Sequence, residues 1–205
     1  MPQSGRQRAL KRILDLAVAV PAVTFTAPVM MTVAVAIYAT MGRPILFRQA
    51  RVGHRERTFR IWKFRTMKPG PADASPDDDH LRITRLGAFL RATSLDELPQ
   101  LFNVLRGEMS LVGPRPLLER YLPRYDAIQR RRHEVMPGLT GWAQIHGRNA
   151  MNWATKFEHD VWYVDHWSLG LDLAILWRTL TVVAQRRAVS AEGHASMPEF
   201  MGTEA

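Results

Sequence analysis

The chain has 205 residues, a formal net charge of +9 and a sequence pI near 10.7. That length suits one domain with a real core and argues against a second full domain, while the charge points to anionic partners: phosphate esters, nucleic acid or an anionic leaflet. The absence of cysteine excludes disulfides, thiolate metal sites and a cysteine nucleophile.

From Leu16 to Met41 no residue is charged. At ~1.5 Å rise per residue a straight helix of this tract would run about 39 Å, enough to cross the hydrocarbon core. It is long for a secretory signal, and no small-residue cleavage site follows it. Pro21 and Pro28 interrupt it, each removing a backbone donor, and Thr24, Thr26 and Thr32 are expected to satisfy the freed carbonyls. Both flanks are basic: Arg6, Arg8, Lys11 and Arg12 before, Arg43, Arg48 and Arg51 after. The positive-inside rule asks both ends to stay cytoplasmic, which favours a helix that enters, bends near Pro28 and returns over the rival reading, a single crossing. Asp15 is expected at headgroup level, paired with Lys11 and Arg12.

The next stretch, 44–67, reads as two short strands, Ile45–Phe47 and Phe59–Trp62, joined through a polar turn at Gly53–Thr58. Lys68–Asp79 is a loop by composition, and its Asp77-Asp78-Asp79 run reads as solvated acid, since no ligand-like spacing accompanies it. Short helices follow, separated by Gly113-Pro114-Arg115-Pro116 and Pro137-Gly138. Near the end Leu169, Leu173, Leu176, Leu180 and Val183 define the apolar face of a helix whose other face carries Asp172, Arg178 and Thr179; it packs on the core or lies on a membrane surface.

The segment Thr93-Ser94-Leu95-Asp96-Glu97-Leu98-Pro99-Gln100-Leu101 sets adjacent acids at the mouth of a helical run. Ser94 and Glu97 have capping-box spacing, or Asp96 is itself the N-cap. A helix start also favours anions, so the same placement suits an ionised nucleophile, with Glu97 left to bind a divalent cation. Lys63, Arg65, Arg85, Arg91, Arg115 and Arg148 lie beside turn punctuation, and arginine forks suit phosphate oxygens.

Five ordered motifs carry a resemblance: Lys63–Met67 (KFRTM), Thr93–Leu105, Gly107–Pro116 (GEMSLVGPRP), Arg131–Gln144 and Gly147–Asn149 (GRN). Together they resemble the monotopic polyprenyl-phosphate phosphoglycosyl transferases, or bacterial sugar transferases, in the compact form; larger forms add an N-terminal multi-spanning region. The resemblance implies a mainly α fold with a small β-hairpin (α+β), a re-entrant membrane helix over residues 1–42 broken at Ala27-Pro28, and a catalytic domain over 43–205 with amphipathic helices at the cytoplasmic face of the inner membrane. It implies Asp96 as nucleophile, Glu97 with Asp96 as the Mg²⁺ site, Arg91, Arg115 and Arg148 at the phosphates and nucleotide, and Lys63 and Arg65 as further phosphate ligands. The implied reaction moves a sugar-1-phosphate from a UDP-sugar to polyprenyl phosphate, with membrane lipid and downstream glycosyltransferases as partners. The run Val189-Ser190-x-Glu192-Gly193-His194 with Phe200-x-Gly202 resembles members using diacetylated bacillosamine, an N-acetylated amino sugar; galactose, glucose and N-acetylgalactosamine users share the core motifs.

The competing reading is a basic peripheral protein binding anionic lipid or nucleic acid. It gives Asp96-Glu97 no role, and the sequence carries no nucleic-acid-binding module pattern.

Overall fold

The structure, a computed structural model, describes residues 4–70, 79–147, 151–184 and 199–202. Helix α1 spans Gly5–Met41 and opens with a capping box, in which Ser4 accepts from the Gln7 amide and the Gln7 side chain accepts from the Ser4 amide. It stays helical through Pro21 and Pro28, so the secondary structure does not break at Ala27-Pro28. The threonines act differently from expectation. Thr24, Thr26 and Thr32 donate to the carbonyls of Val20, Ala22 and Pro28, whereas the two prolines free those of Ala17 and Thr24, four residues back along the helix.

One stripe of α1 is buried, through Lys11, Asp15, Ala19, Met30, Val33 and Ile37. The other side exposes Ile13, Val20, Phe25, Met31 and Val35. Both ends are tied to the same body. At the start, Lys11 Nζ bonds Asp172 Oδ2 at 2.5 Å, Arg12 donates to the carbonyls of Val104 and Leu105, and Asp15 Oδ1 accepts from Ser110 Oγ and the Leu111 amide at 2.9 and 3.0 Å. Asp15 is thus a buried acceptor inside the domain rather than a headgroup-level group, because Ser110 and the Leu111 amide donate to it and, of the expected pair, only Lys11 acts on it electrostatically. At the other end the Arg65 guanidinium donates to the carbonyls of Met41, Gly42 and Arg43, at and just past the helix end, where carbonyls lack intrahelical donors.

The expected hairpin is present and longer than its apolar cores: β1 (Leu46–Val52) pairs antiparallel with β2 (Thr58–Phe64), Leu46 facing Phe64 and Val52 facing Thr58. After α2 (Asp79–Arg82) and α3 (Arg85–Ala92), a 3-10 turn at Leu95–Glu97 leads into α4 (Gln100–Arg106). The fully buried Asn103 fixes α4 to β2: its Oδ1 accepts from the Trp62 amide and its Nδ2 donates to the Arg60 carbonyl.

The punctuation read as gaps between helices holds a second sheet. β3 (Ser110–Val112) and β4 (Gly138–Thr140) pair in parallel, and between them lies α5 (Ala127–Arg130). A Cβ on Gly138 would stand 2.1 Å from the Gly113 nitrogen, so the backbone approach leaves room for glycine alone. Helices α6 (Trp142–His146), α7 (Trp153–His166) and α8 (Leu169–Ala184) complete the layer. The main core joins Ala19, Ile61, Val104, Val112, Ile145, Tyr163 and Ile175.

The two expected faces of α8 are only partly kept: Leu176 packs on the core and Arg178 is exposed, but other positions exchange sides. Asp172 is fully buried, bonded by Lys11, Tyr163 and Trp167, and Thr179 bonds Thr140, while Leu173, Trp177 and Leu180 are exposed. The buried cation from α1 draws Asp172 inward, and Leu173 and Leu180 are left outside. The membrane-surface alternative fits this apolar face.

Candidate active site

Between α3 and the 3-10 turn the chain reverses at Ser94, which takes the left-handed conformation (φ 58, ψ 15). That backbone costs a non-glycine residue about 1–2 kcal/mol and turns Asp96 inward. Neither capping arrangement forms: Ser94 makes no side-chain cap bond, and α4 is N-capped by Pro99. Glu97 cannot serve as the capping-box partner because its carboxylate is taken by cations. Lys63 Nζ lies 2.7 Å from Oε1, and Arg115 reaches both oxygens, Nη2 at 2.5 Å from Oε1 and Nη1 at 3.3 Å from Oε2.

The two acids therefore sit in opposite electrostatic conditions. Asp96 is 8% exposed. Burial, then the neighbouring Glu97 charge, push its pKa up to about 6 against the pull of Lys63, Arg91 and Arg115. Burial acts on Glu97 in the same sense, but Arg115 and Lys63 outweigh it and hold its carboxyl well below the ordinary value. One carboxylate is fixed as an anion and its neighbour is raised towards neutrality, the separation expected of paired acids with different tasks.

The predicted residues divide clearly. Lys63 from β2, Arg91 from the last turn of α3, and Arg115 after β3 converge on Asp96 and Glu97. Arg65 does not join them: it is buried at the end of α1 and its guanidinium bonds carbonyls there, so it acts as a helix clamp and not as a phosphate ligand. Arg148 lies outside the described residues, as do Asp77, Asp78 and the run Val189–His194; Arg85 opens α3 and is exposed.

Two further cations stand at the site, Lys156, which the sequence reading did not single out, and Arg51, which it took only as basic flank of the apolar tract. Arg51, in β1, faces Arg115 and Glu97; burial and then Arg115 lower its pKa to about 10. Its guanidinium bonds Gln49 Oε1 at 2.6 Å and the Pro116 carbonyl at 3.4 Å, with no ion pair among the described residues. Lys156, in α7, is buried near Asp160, Arg115, Arg132 and Arg51, and burial lowers its pKa to about 8. Asp160 is itself held by Arg132 at 2.7 Å. No local pattern marks either residue; only the packing of β1 and α7 reveals them. The acid pair is thus ringed by more positive than negative charge, the balance a diphosphate requires.

Among the described residues no group of three or more His, Cys, Asp or Glu side chains could hold a metal alone. The hard oxygens of Asp96 and Glu97 nevertheless fit a Mg²⁺ shared with substrate phosphates, since that ion commonly takes one or two carboxylates and completes its shell with phosphate and water. The Glu97 Oε2 atom, with only its 3.3 Å contact to Arg115, is the less committed oxygen.

A buried acid pair ringed by cations, on a domain tied to both ends of a helix long and apolar enough to cross a membrane, is a charge arrangement suited to anionic substrates. Residues 6–186 match the bacterial sugar transferase family, and the chain belongs to that family. EpsL of Bacillus subtilis (strain 168), an uncharacterized sugar transferase, is 45% identical over 197 residues, covering 95% of this chain and 96% of that protein. The UDP-glucose:undecaprenyl-phosphate glucose-1-phosphate transferase of Escherichia coli (strain K12) is 40% identical over 192 residues, 87% of this chain and 41% of that one. The UDP-N-acetylgalactosamine-undecaprenyl-phosphate N-acetylgalactosaminephosphotransferase of Aeromonas hydrophila is 40% identical over 184 residues, 85% of this chain and 43% of its own length. The chain thus spans less than half of these last two relatives.

Proposed function

We propose that this protein is a phosphoglycosyl transferase that moves a sugar-1-phosphate from a UDP-sugar to polyprenyl phosphate and releases UMP. The carrying observation is the divided acid pair, Asp96 buried with a raised pKa beside Glu97 clamped by Lys63 and Arg115, in a chain whose relatives are named for this reaction.

A raised pKa makes the Asp96 carboxylate a better nucleophile while leaving it mostly ionised above pH ~6. Its oxygen attacks the sugar-bearing phosphorus. The bond from that phosphorus to the bridging oxygen breaks, and UMP leaves with the oxygen and its electron pair. A phosphate oxygen of polyprenyl phosphate then attacks the same phosphorus, breaks the acyl phosphate bond and restores the Asp96 carboxylate. Arg91 and Arg115, with Arg51 and Lys156 behind them, hold the diphosphate and neutralise the charge that gathers on the departing phosphate. Mg²⁺ bound by Asp96 and Glu97 would supply Lewis-acid charge neutralisation at the diphosphate.

The anchor reading is a monotopic one: α1 enters the cytoplasmic leaflet and returns. Its support is that Lys11, Arg12 and Asp15 at one end and the Arg65 clamp at the other bind a single domain, which a helix with ends on opposite faces could not do. The donor we favour is a UDP-activated N-acetylated amino sugar, diacetylbacillosamine foremost; it rests on the resemblance of the C-terminal run, and the N-acetylgalactosamine relative is in keeping with it.

The test follows UMP release with a panel of UDP-sugars that includes diacetylbacillosamine, glucose, galactose and N-acetylgalactosamine, with Mg²⁺ and undecaprenyl phosphate. Wild type should turn over and lose activity with EDTA, and Asp96→Asn should lose nearly all of it. Intact mass without lipid acceptor should show a phosphosugar adduct on wild type alone. Full activity in Asp96→Asn would overturn the covalent mechanism.

A further inference from the structure

At the turn end of the β1–β2 hairpin a cavity of about 400 Å³ is walled by Arg8 of α1, by the His54–Glu56 turn, and by Arg130, His133 and Glu134. None of Lys63, Arg91, Asp96, Glu97 or Arg115 lines it. Its size is that of a small-ligand site, and the Arg131–Gln144 motif supplies His133 and Glu134 to it although the acid pair uses neither.

The charges of the wall do not balance. Arg130 bonds Glu56 at 2.9 Å, and Arg131 bonds Glu134 at 3.3 Å, so both acids are matched. Arg8 and Arg55 have no acidic partner among the described residues, and both lie close enough to His54 to depress its pKa, after burial itself. His133 is 6% exposed; its Nδ1 lies 3.2 Å from the Gly53 carbonyl, and its Nε2 is buried without a partner. Burial and Arg132 hold the ring neutral. A neutral ring that donates from Nδ1 presents Nε2 as an acceptor, and a buried acceptor without a donor is costly. The backbone adds a further mark. Arg55 and Glu56, neither of them glycine, take φ 54 and 60, strain of the kind retained at ligand sites.

Two arginine forks on one wall, without acidic partners among the described residues, suit a single anion, while His133 Nε2 is sealed from the cavity by its burial. We propose that this cavity binds a phosphate ester, with the phosphate on Arg8 and Arg55. A glycerophospholipid headgroup and a soluble glycerol phosphate share that chemistry. Arg8 stands roughly two turns of α1 ahead of the apolar tract, within the cytoplasmic approach to the membrane on the monotopic reading.

The full chain is placed in nanodiscs of phosphatidylcholine with or without phosphatidylglycerol, and native mass spectrometry counts the anionic lipid retained. Calorimetry in pure phosphatidylcholine discs titrates glycerol 3-phosphate. One equivalent of either probe should bind, the first identifying a membrane source and the second a soluble one. Arg8→Gln/Arg55→Gln should weaken it by at least ~10-fold. Arg48→Gln/Arg106→Gln, which removes the same charge beside Trp62, should leave it within about 2-fold. Binding of neither probe at one per chain, no effect of the first pair, or equal loss in both pairs would overturn the site. Binding is read without turnover, so the outcome is separate from that of the phosphotransferase reading.

Discussion

Asp96→Asn should destroy activity and stabilise the fold, and the second effect is the sharper test of the electrostatics. The folded protein raises the Asp96 pKa from its ordinary 3.8 to about 6. Those roughly 2 units correspond to about 3 kcal/mol by which the ionised carboxylate is worse placed folded than unfolded. The sign follows from proton binding. Between pH ~4 and ~6 the native state holds a proton that the unfolded chain has released, so wild-type stability falls as pH rises through that window and is lowest above it. Asparagine carries no charge at any pH and removes this slope. The attraction of Lys63, Arg91 and Arg115 is already inside the net shift, so their loss is not a further cost. The Asn variant should therefore exceed wild type by up to ~3 kcal/mol at pH 8, or about 6–12 °C in Tm for a chain of this size, and the gain should shrink towards pH 4. Tryptophan fluorescence during thermal unfolding in detergent, taken across pH 4–8, measures it. A difference independent of pH, or a less stable variant at pH 8, would refute the account of the acid pair.

Other consequences concern the surrounding residues. Glu97→Gln removes the charge that raises Asp96 and leaves Lys63 and Arg115 unopposed, so the acid limb of kcat/KM should move down by roughly 1–2 pH units, whatever the effect on kcat; a limb that moves up contradicts this. Arg51→Gln should raise KM for the UDP-sugar about 10-fold and leave KM for the lipid acceptor unchanged, which initial-rate kinetics with each substrate varied would show. Arg65→Met removes the donors on the carbonyls of Met41, Gly42 and Arg43 and should cost ~2–3 kcal/mol in chemical denaturation, with KM for the donor unaltered. Gly87→Ala would place a Cβ 1.9 Å from the Thr66 carbonyl and should prevent folding of the β2–α3 junction, seen as loss of soluble, detergent-extractable protein.

What was legible in the sequence was local. The hairpin is announced by apolar runs on either side of a polar turn, and the acid pair by its place beside a helical run. What was not legible depends on contacts between distant parts of the chain. Asp172 looked like a surface residue because its neighbours on α8 are leucines, and its reason for burial, Lys11, lies 161 residues away. The β3–β4 sheet escaped because three-residue strands carry no usable period and their pairing is long-range. Arg65 and Lys63 stand in one motif with equal claim to a phosphate, and only the fold sends one to the end of α1 and the other to Glu97.

The placement of the acid pair follows from the same long-range packing. Leu95 and Leu98 flank Asp96 and Glu97, and both pack on the cluster formed by Met30, Val33 and Ile37 of α1 with Phe64 and Leu90. Those three α1 residues belong to the apolar tract itself. The turn that carries the carboxylates is therefore held against the apolar helix, while Lys63 and Arg115 approach from the domain side. On the proposed reaction a soluble nucleotide donor and an acceptor phosphate at the headgroups would meet at one carboxylate, and this seam is where a helix that buries one stripe on the domain and exposes the other would bring them together. Pro28 lies in that stretch, next to Met30. A bend there would change the depth of the Met30–Ile37 segment and carry Leu95, Leu98 and the acids with it, which ties the height of the site to the geometry of the anchor.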